Sequence, residues 1–413
     1  MDARTMAACQ KSKSKSEFEY FRTHQFCDNP TCSYFNESGA GNLKIKSLSK
    51  GQVYCVDCKV PFSVRKGTMF FGLRTNMDKI ARVLGLLASG IGVNAVCREN
   101  DVTADSLREW VLLASGHVKA FSAFLEQDMH LDQVQIDEFW SFMRKKKEHL
   151  TEEAILGALE DAQLAENQGD RWTFVAVLPE SSYVHTTHHG HRTLEQAEVF
   201  IAQTKSKSDG QAPYFVSDSW FYEQALVNNY CEWKDAPYKG RGRRPHPIQV
   251  VDPMLRYAQV HKKRDGKGKI EEITTRIVLG DEGEILLLLL DAKRCKTINT
   301  VYVESRNGKF RKDNARLIRR TLCHSKKAVF HDAHIDFVAQ VMNYTRTNDA
   351  LKVQINPDAG LFEQKYLHQT PAMAEGLIDK RLNIKELLSQ RPKITLSLIH
   401  ISEPTRRTPI SYA

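Results

Sequence analysis

The sequence predicts an α/β protein built in successive parts: a small cysteine-bearing β module, a helical pair, and a larger domain of alternating strands and helices. Three observations point there. Two close cysteine pairs lie between residues 27 and 58, apolar residues recur at helical spacing over about residues 77–121, and from residue 133 onward strand-like and helix-like patterns alternate. At 413 residues the chain is too long for one core.

Residues 1–20 are rich in lysine and serine without an apolar stretch, so a disordered basic N-terminus is expected there, with no secretory signal. The longest aliphatic run, residues 285–290, is far short of the roughly 20 residues of a membrane span. A reducing cytosol is the expected compartment, and nine cysteines are then thiols or metal ligands rather than a disulfide framework. The formal net charge is +9, from 59 Lys and Arg against 50 Asp and Glu. Its distribution says more. Residues 231–270 hold 11 basic against 4 acidic side chains and residues 301–330 hold 9 against 2, so the basic excess sits in two patches suited to a polyanion.

Residues 21–75 are expected to form a zinc ribbon. Cys27 and Cys32, then Cys55 and Cys58, are short-spaced pairs on tight turns, and four thiolates suit a closed tetrahedral structural site. Tyr54 and Phe62 frame the second pair, and Gly39, Gly41 and Gly51 serve the turns. Residues 76–125 are expected to hold a helix-turn-helix: Val93, Val96, Cys97, Val102, Leu107 and Trp110 fall where the crossing helices need them, and Thr103 caps the second helix. Asp101 stands where glycine is usual and Asn100 where an apolar residue is usual, although Asp tolerates the left-handed turn. The exposed face of the second helix would carry Ala104, Asp105, Arg108 and Glu109, Arg108 being the expected DNA contact.

In the third part, residues 126–350, strands are expected at 133–142, 172–178 and 183–187, then a helix over 194–205, a strand over 214–216 ending in Ser217-Asp218-Ser219, and a helix over 221–229. That order is the one of an RNase H-like domain, in which the first and fourth strands are neighbours, so Asp137 and Asp218 would stand side by side. Glu304 opens a basic helical stretch that also carries Asn307, Gly308 and Arg311 near one face. Three clustered carboxylates repel one another unless cations occupy the gap, and oxygen ligands favour Mg²⁺ or Mn²⁺.

Through CxxCKVPFSVRKGTMFFGLR, VQIDEFWSF, VSDSW, INTVYVESRNGKFRKDNARLIRRT and QTPAMAEGLIDKRLNIKELL, the sequence resembles the DDE transposases of bacterial insertion sequences, specifically the insertion-sequence-one-like group. The resemblance covers most of residues 25–390 and is most specific around Glu304. It implies that Asp137, Asp218 and Glu304 are the catalytic acids, holding Mg²⁺ or Mn²⁺. It further implies cleavage of the element's ends by water, strand transfer of the freed 3′-hydroxyls into target DNA, double-stranded DNA as partner, a homo-oligomer that holds two ends, and a place at the bacterial nucleoid.

The span between Asp218 and Glu304 is expected to contain a basic insertion at about 231–280, with a mobile DNA-contacting loop in KGRGRRPHP (239–247) and HKKRDGKGK (261–269). Arg241, Arg243, Arg244, Lys262, Lys263 and Arg264 are the expected contacts there, joined by Arg306 and Arg311 beside Glu304. The histidines of YVHTTHHGH (183–191) are expected in a polar turn rather than a metal site. A helical tail is expected over 351–392. Residues 396–413 resemble the translation of a sequencing adapter, so a natural C-terminus replaced beyond Pro392 is expected, which resequencing across the junction would test. The rival expectation is a non-catalytic DNA-binding regulator, derived from a transposase or merely sharing its zinc ribbon and helix-turn-helix.

Overall fold

The computed structural model describes residues 19–20, 22, 24–151, 157, 166–218, 222–237, 240, 246–318, 321–358 and 363–392. Most of the expected basic N-terminus, Arg241, Arg243 and Arg244, and the adapter-like tail lie outside the described residues. The chain divides into two units, one of Met1–Arg74 with Leu388–Ala413 and one of Thr75–Leu387. The helical part expected to stand apart at 76–125 therefore belongs with the α/β part.

In the first unit, β1 (Leu43–Ser47), β2 (Gln52–Cys55) and β3 (Pro61–Ser63) form an antiparallel sheet in the order β1-β2-β3. Gly51 takes the left-handed φ of 58° that the turn before β2 requires. Phe26, Leu43, Val53 and Phe62 are its small core. Arg391, expected in a helical tail, instead lies 4.0 Å over the Phe26 ring and donates to Asp28 at 3.0 Å.

The second unit opens with α1 (Met77–Leu87), α2 (Val93–Glu99) and α3 (Ala104–Leu125). Thr103 caps α3 by accepting from the Ser106 amide at 3.2 Å. Asp101 has φ 48°, the left-handed turn that glycine would usually make, and the Asn100 amide donates to the Val96 carbonyl at 2.9 Å. Both departures from the usual pattern thus have a local use. Beyond these lie β4 (Gln133–Met143), β5 (Gly169–Leu178), β6 (Tyr183–Gly190), α4 (Leu194–Ser206), β7 (Tyr214–Asp218) and α5 (Tyr222–Asn229). A hairpin of β8 (Cys231–Lys234) and β9 (Ile248–Val251) follows, then β10 (Arg256–Arg264), β11 (Ile270–Leu279), α6 (Glu282–Asp291), α7 (Val301–Asp313) and α8 (Ala328–Tyr344).

Six strands make one mixed sheet in the order β11-β10-β7-β4-β5-β6, with β4, β7 and β10 parallel and the others antiparallel. The molecule is thus mixed α/β. The expected basic insertion at 231–280 is corrected in part: Tyr257, Ala258 and Val260 are buried, so β10 joins the sheet instead of looping away from it, and residues 261–269 are its end and a tight turn into β11. Apolar residues decide this, because burying them outweighs the polar end of the same strand. On one face, Ile285 and Leu289 of α6 pack on Tyr214, Val216, Ala258 and Val260, leaving Leu286, Leu287 and Leu290 exposed. No helix among the described residues is long and apolar enough to cross a membrane. Residues 351–392 hold less helix than expected: a two-residue-strand hairpin of β12 (Val353–Gln354) with β13 (Tyr366–Leu367), then the short α9 (Pro371–Ala374) and α10 (Ile384–Ser389).

Helix α8 is buried almost throughout and carries polar groups that bond inward. Lys119 of α3 reaches Asp336 at 3.0 Å, Ser122 donates to Gln340 at 2.8 Å, and His189 of β6 meets Asp336 at 2.8 Å. The expected polar turn at 183–191 is therefore mostly the strand β6, in which His185 is buried and His188 and His189 are half-buried. Burial pushes His185 down to about 4 and His331 and His334 down to about 3. Each must gain a proton on unfolding at low pH. A depressed folded pKa contributes stability present above the unfolded value near 6.5 and lost as pH falls toward the folded value, so stability should drop by on the order of 5 kcal/mol between pH 7.5 and 5. Urea midpoints at the two pH values measure this, and His331→Gln should shrink the difference by about a third; an unchanged difference in the variant would remove His331 from the account.

Candidate active site and cysteine centre

Alternate residues of β4 meet successive turns of α7. The Gln135 side-chain oxygen accepts from the Tyr302 and Val303 amides at 3.1 and 3.2 Å, satisfying two of the orphan donors at the helix start. Two residues on, Asp137 Oδ2 accepts from Asn307 Nδ2 at 2.8 Å. Two further, the Phe139 ring lies 5.5 Å from that of Phe310. This pairing brings Glu304, in the first turn of α7, to the middle of the sheet.

Strand β7 supplies the neighbour. Ile136 pairs with Ser217, so Asp137 and Asp218 follow at adjoining positions on parallel strands. On the other side of β7, Asp218 pairs with Val260 of β10, and Lys262 projects from the same face two residues later. Lys262 Nζ donates to Asp218 Oδ1 and Oδ2 at 3.0 and 3.3 Å, to Thr300 Oγ1 at 2.7 Å, and to Glu304 Oε1. Thr300 in turn donates to Glu304 at 2.6 Å. Asp218 and Glu304 thus converge on one ammonium.

Among the described residues, no such cation pairs with Asp137. Burial first, then the negative charges of Glu138, Asp218 and Glu304, push its carboxyl up to about 7. Glu138 points to the opposite face, where the Tyr222 hydroxyl donates to it at 2.8 Å and the Arg192 Nε at 2.7 Å. The side-chain Oδ1 of Asn307 is buried with no hydrogen-bond partner among the described residues. Beyond Ile136, β4 has no pairing with β7 among the described residues, and at that edge a cavity of about 370 Å³ is lined by Trp140, Phe142, Arg311, Arg316 and Ile318.

The expected DNA contacts fare unevenly. Arg306 is 3% exposed, because its turn of α7 faces the interior, and this corrects its assignment to the DNA backbone. Lys262 is drawn inward by two carboxylates. Lys263 is exposed beside Glu271, and Arg264 closes the hairpin turn on the Gly268 carbonyl at 2.9 Å. Arg108 pairs with Asp105 one turn earlier on α3, and Arg311 lines the aromatic cavity. Gln135, Thr300 and Asn307 were not among the expected site residues; Asn307 alone carried a signal, its place one turn after Glu304.

In the first unit, the Sγ atoms of Cys27, Cys32, Cys55 and Cys58 all lie within 4.8 Å of one another. Cys27 and Cys58 are 3.5 Å apart and Cys32 and Cys55 3.6 Å, near the roughly 3.8 Å that a tetrahedral ion with Zn–S of about 2.3 Å imposes. Burial opposes ionisation of Cys55, but backbone N–H groups of Cys58 and Asp57 and the Asn42 amide bring its thiol down to about 7. The cluster can bind a structural zinc ion and is compatible with the expected ribbon. Among the described residues, no other histidine, cysteine or acidic side chains gather so closely, and the acids around Lys262 do not. The chain matches no family model and no curated protein.

Proposed function

We propose that the protein is a transposase of a bacterial insertion sequence, which binds the element's ends and catalyses metal-dependent DNA cleavage and strand transfer into target DNA. The observation behind this is the meeting of Asp218 and Glu304 at one ammonium, with Asp137 close enough to feel the charge of both. Three acids from distant parts of the chain seldom gather without a cation to hold. The first and fourth strands of the sheet, β4 and β7, are also neighbours, as an RNase H-like core would have them.

The donor set suits Mg²⁺ or Mn²⁺, being all oxygen, and the partnerless Oδ1 of Asn307 adds a fourth oxygen beside Asp137. Asp137, Asp218 and Glu304 would hold the metal, which when bound activates the attacking oxygen and stabilises the leaving oxygen of a phosphodiester. The chain's own groups fix the geometry. Gln135 holds the start of α7, Asn307 orients Asp137, and Arg311 beside Trp140 and Phe142 offers charge and stacking faces to DNA at the open edge of β4. No covalent protein–DNA bond is needed, since water and then a DNA 3′-hydroxyl are the nucleophiles. The cysteine module and the helix pair would grip the ends, in a multimer within the bacterial nucleoid.

The test uses the zinc-loaded protein and duplexes carrying the ends of its own element. Nicks that leave 3′-hydroxyls should appear with Mg²⁺ or Mn²⁺ and not when both are omitted; bound but uncut DNA under both conditions would favour the regulator instead.

A further inference from the structure

We propose that Lys262 is a tethered counter-ion, which holds Asp218 and Glu304 together in the metal-free protein and leaves them when a divalent ion binds. This rests on the reading of these acids as metal holders. The ammonium has three N–H donors, and Asp218, Thr300 and Glu304 use them all. The Lys262 side chain is only 12% exposed, while those of Asp218 and Glu304 are 46% and 45% exposed. The head group has thus been drawn inward to acids that themselves reach solvent.

Register explains how it arrives there. Lys262 stands two residues beyond Val260, the partner of Asp218, and so shares the face of the acid it neutralises. Thr300 takes the ammonium as acceptor and passes a hydrogen bond to Glu304, which fixes the second acid relative to the first. A permanent structural salt bridge would need none of this openness. A divalent ion bound by Asp218 and Glu304 would stand where the ammonium now is, and two cations cannot share that space. Lysine suits the exchange, since its four-carbon stem moves the charge without moving the strand. Once displaced, the ammonium would lie at the rim of the site, beside Lys263 and Arg264, where a DNA phosphate attracts it. The sequence expectation of a DNA contact then describes the displaced position and the structure the resting one.

Mn²⁺ binding to the full chain, followed by electron paramagnetic resonance with zinc retained, separates the possibilities. Asp218→Asn gives the background, and zinc content with circular dichroism checks folding. Lys262→Met and Lys262→Gln, which remove the competing charge, should both bind Mn²⁺ about tenfold more tightly than the wild type, and Mn²⁺ should raise their melting temperatures by more. Lys262→Arg, which keeps a cation, should not gain affinity. Unchanged or weaker Mn²⁺ binding in both neutral variants, with Asp218→Asn still lowering it, overturns the counter-ion role alone. Mn²⁺ binding no better than the Asp218→Asn background in every variant overturns the metal reading and the displacement with it.

Discussion

Asp137→Asn should reduce Mg²⁺-dependent nicking and strand transfer by about 10³-fold or more, equivalent to about 4 kcal/mol of barrier, while end binding stays within a few-fold. The amide keeps the shape of the carboxylate and its contact with Asn307, but it supplies one neutral oxygen where the reaction needs a charged one. Stability should move the other way. The Asp137 carboxyl is held at about 7, against 3.8 in the unfolded chain, so its protonated form stabilises the fold fully below that unfolded value, and the benefit is lost as pH rises through 7. The three-unit gap sets a ceiling of about 4 kcal/mol, and solvent reaching the partly exposed carboxyl leaves about 1–2 kcal/mol. With magnesium omitted and zinc kept, the wild type should gain less stability between pH 5 and 8 than the Asn variant does, the shortfall being about that amount. Retained nicking in the variant would remove Asp137 from the chemistry, whatever its stability.

The parts of this arrangement that the sequence exposes are those with a local signature. Alternation over residues 133–142 and the acid closing 214–218 are enough to expect two neighbouring strands, and the pairing of Ile136 with Ser217 agrees. Thr103 reads as a cap because capping needs only three residues of context. Glu304 is different. Its distance from Asp218 says nothing, and only the resemblance of the surrounding motif selects it; what carries it to the sheet is Gln135, a polar residue on a strand whose side chain meets helix amides 167 and 168 residues later.

Lys262 and the β6 histidines escape for the same reason. HKKRDGKGK has the composition of a solvated loop, yet its first residues continue a strand whose apolar half is already buried. YVHTTHHGH has no apolar alternation, and its Thr187 and His189 bond Asp336 of α8, more than a hundred residues away. Buried polar networks leave no periodic trace. They are decided by partners that only the folded chain brings together.

Cys55→Ser should remove the zinc and the fold of the first unit together. Cys55 is fully buried, stands 3.6 Å from Cys32 and accepts from the Asn42 amide, so the substitution leaves three thiols and a hydroxyl that does not ionise at neutral pH. The described apolar core of that unit, its cysteines aside, is Phe26, Leu43, Val53, Phe62, Val64, Met69, Phe70 and Leu388, too few to hold a segment of that size alone. A structural zinc contributes about 10–16 kcal/mol in comparable small modules, so its loss exceeds any stability the unit could keep. Zinc measured by mass spectrometry should fall from one per chain to none, and limited proteolysis should open sites between residues 24 and 74. The sheet of Thr75–Leu387 has its own core and should stay resistant. One zinc per chain retained in the variant would show that the four thiols are not its ligands. Zinc lost with residues 24–74 still resistant would mean that the metal binds there without holding the fold, and that Arg391 over Phe26 and Asp28 closes the unit instead.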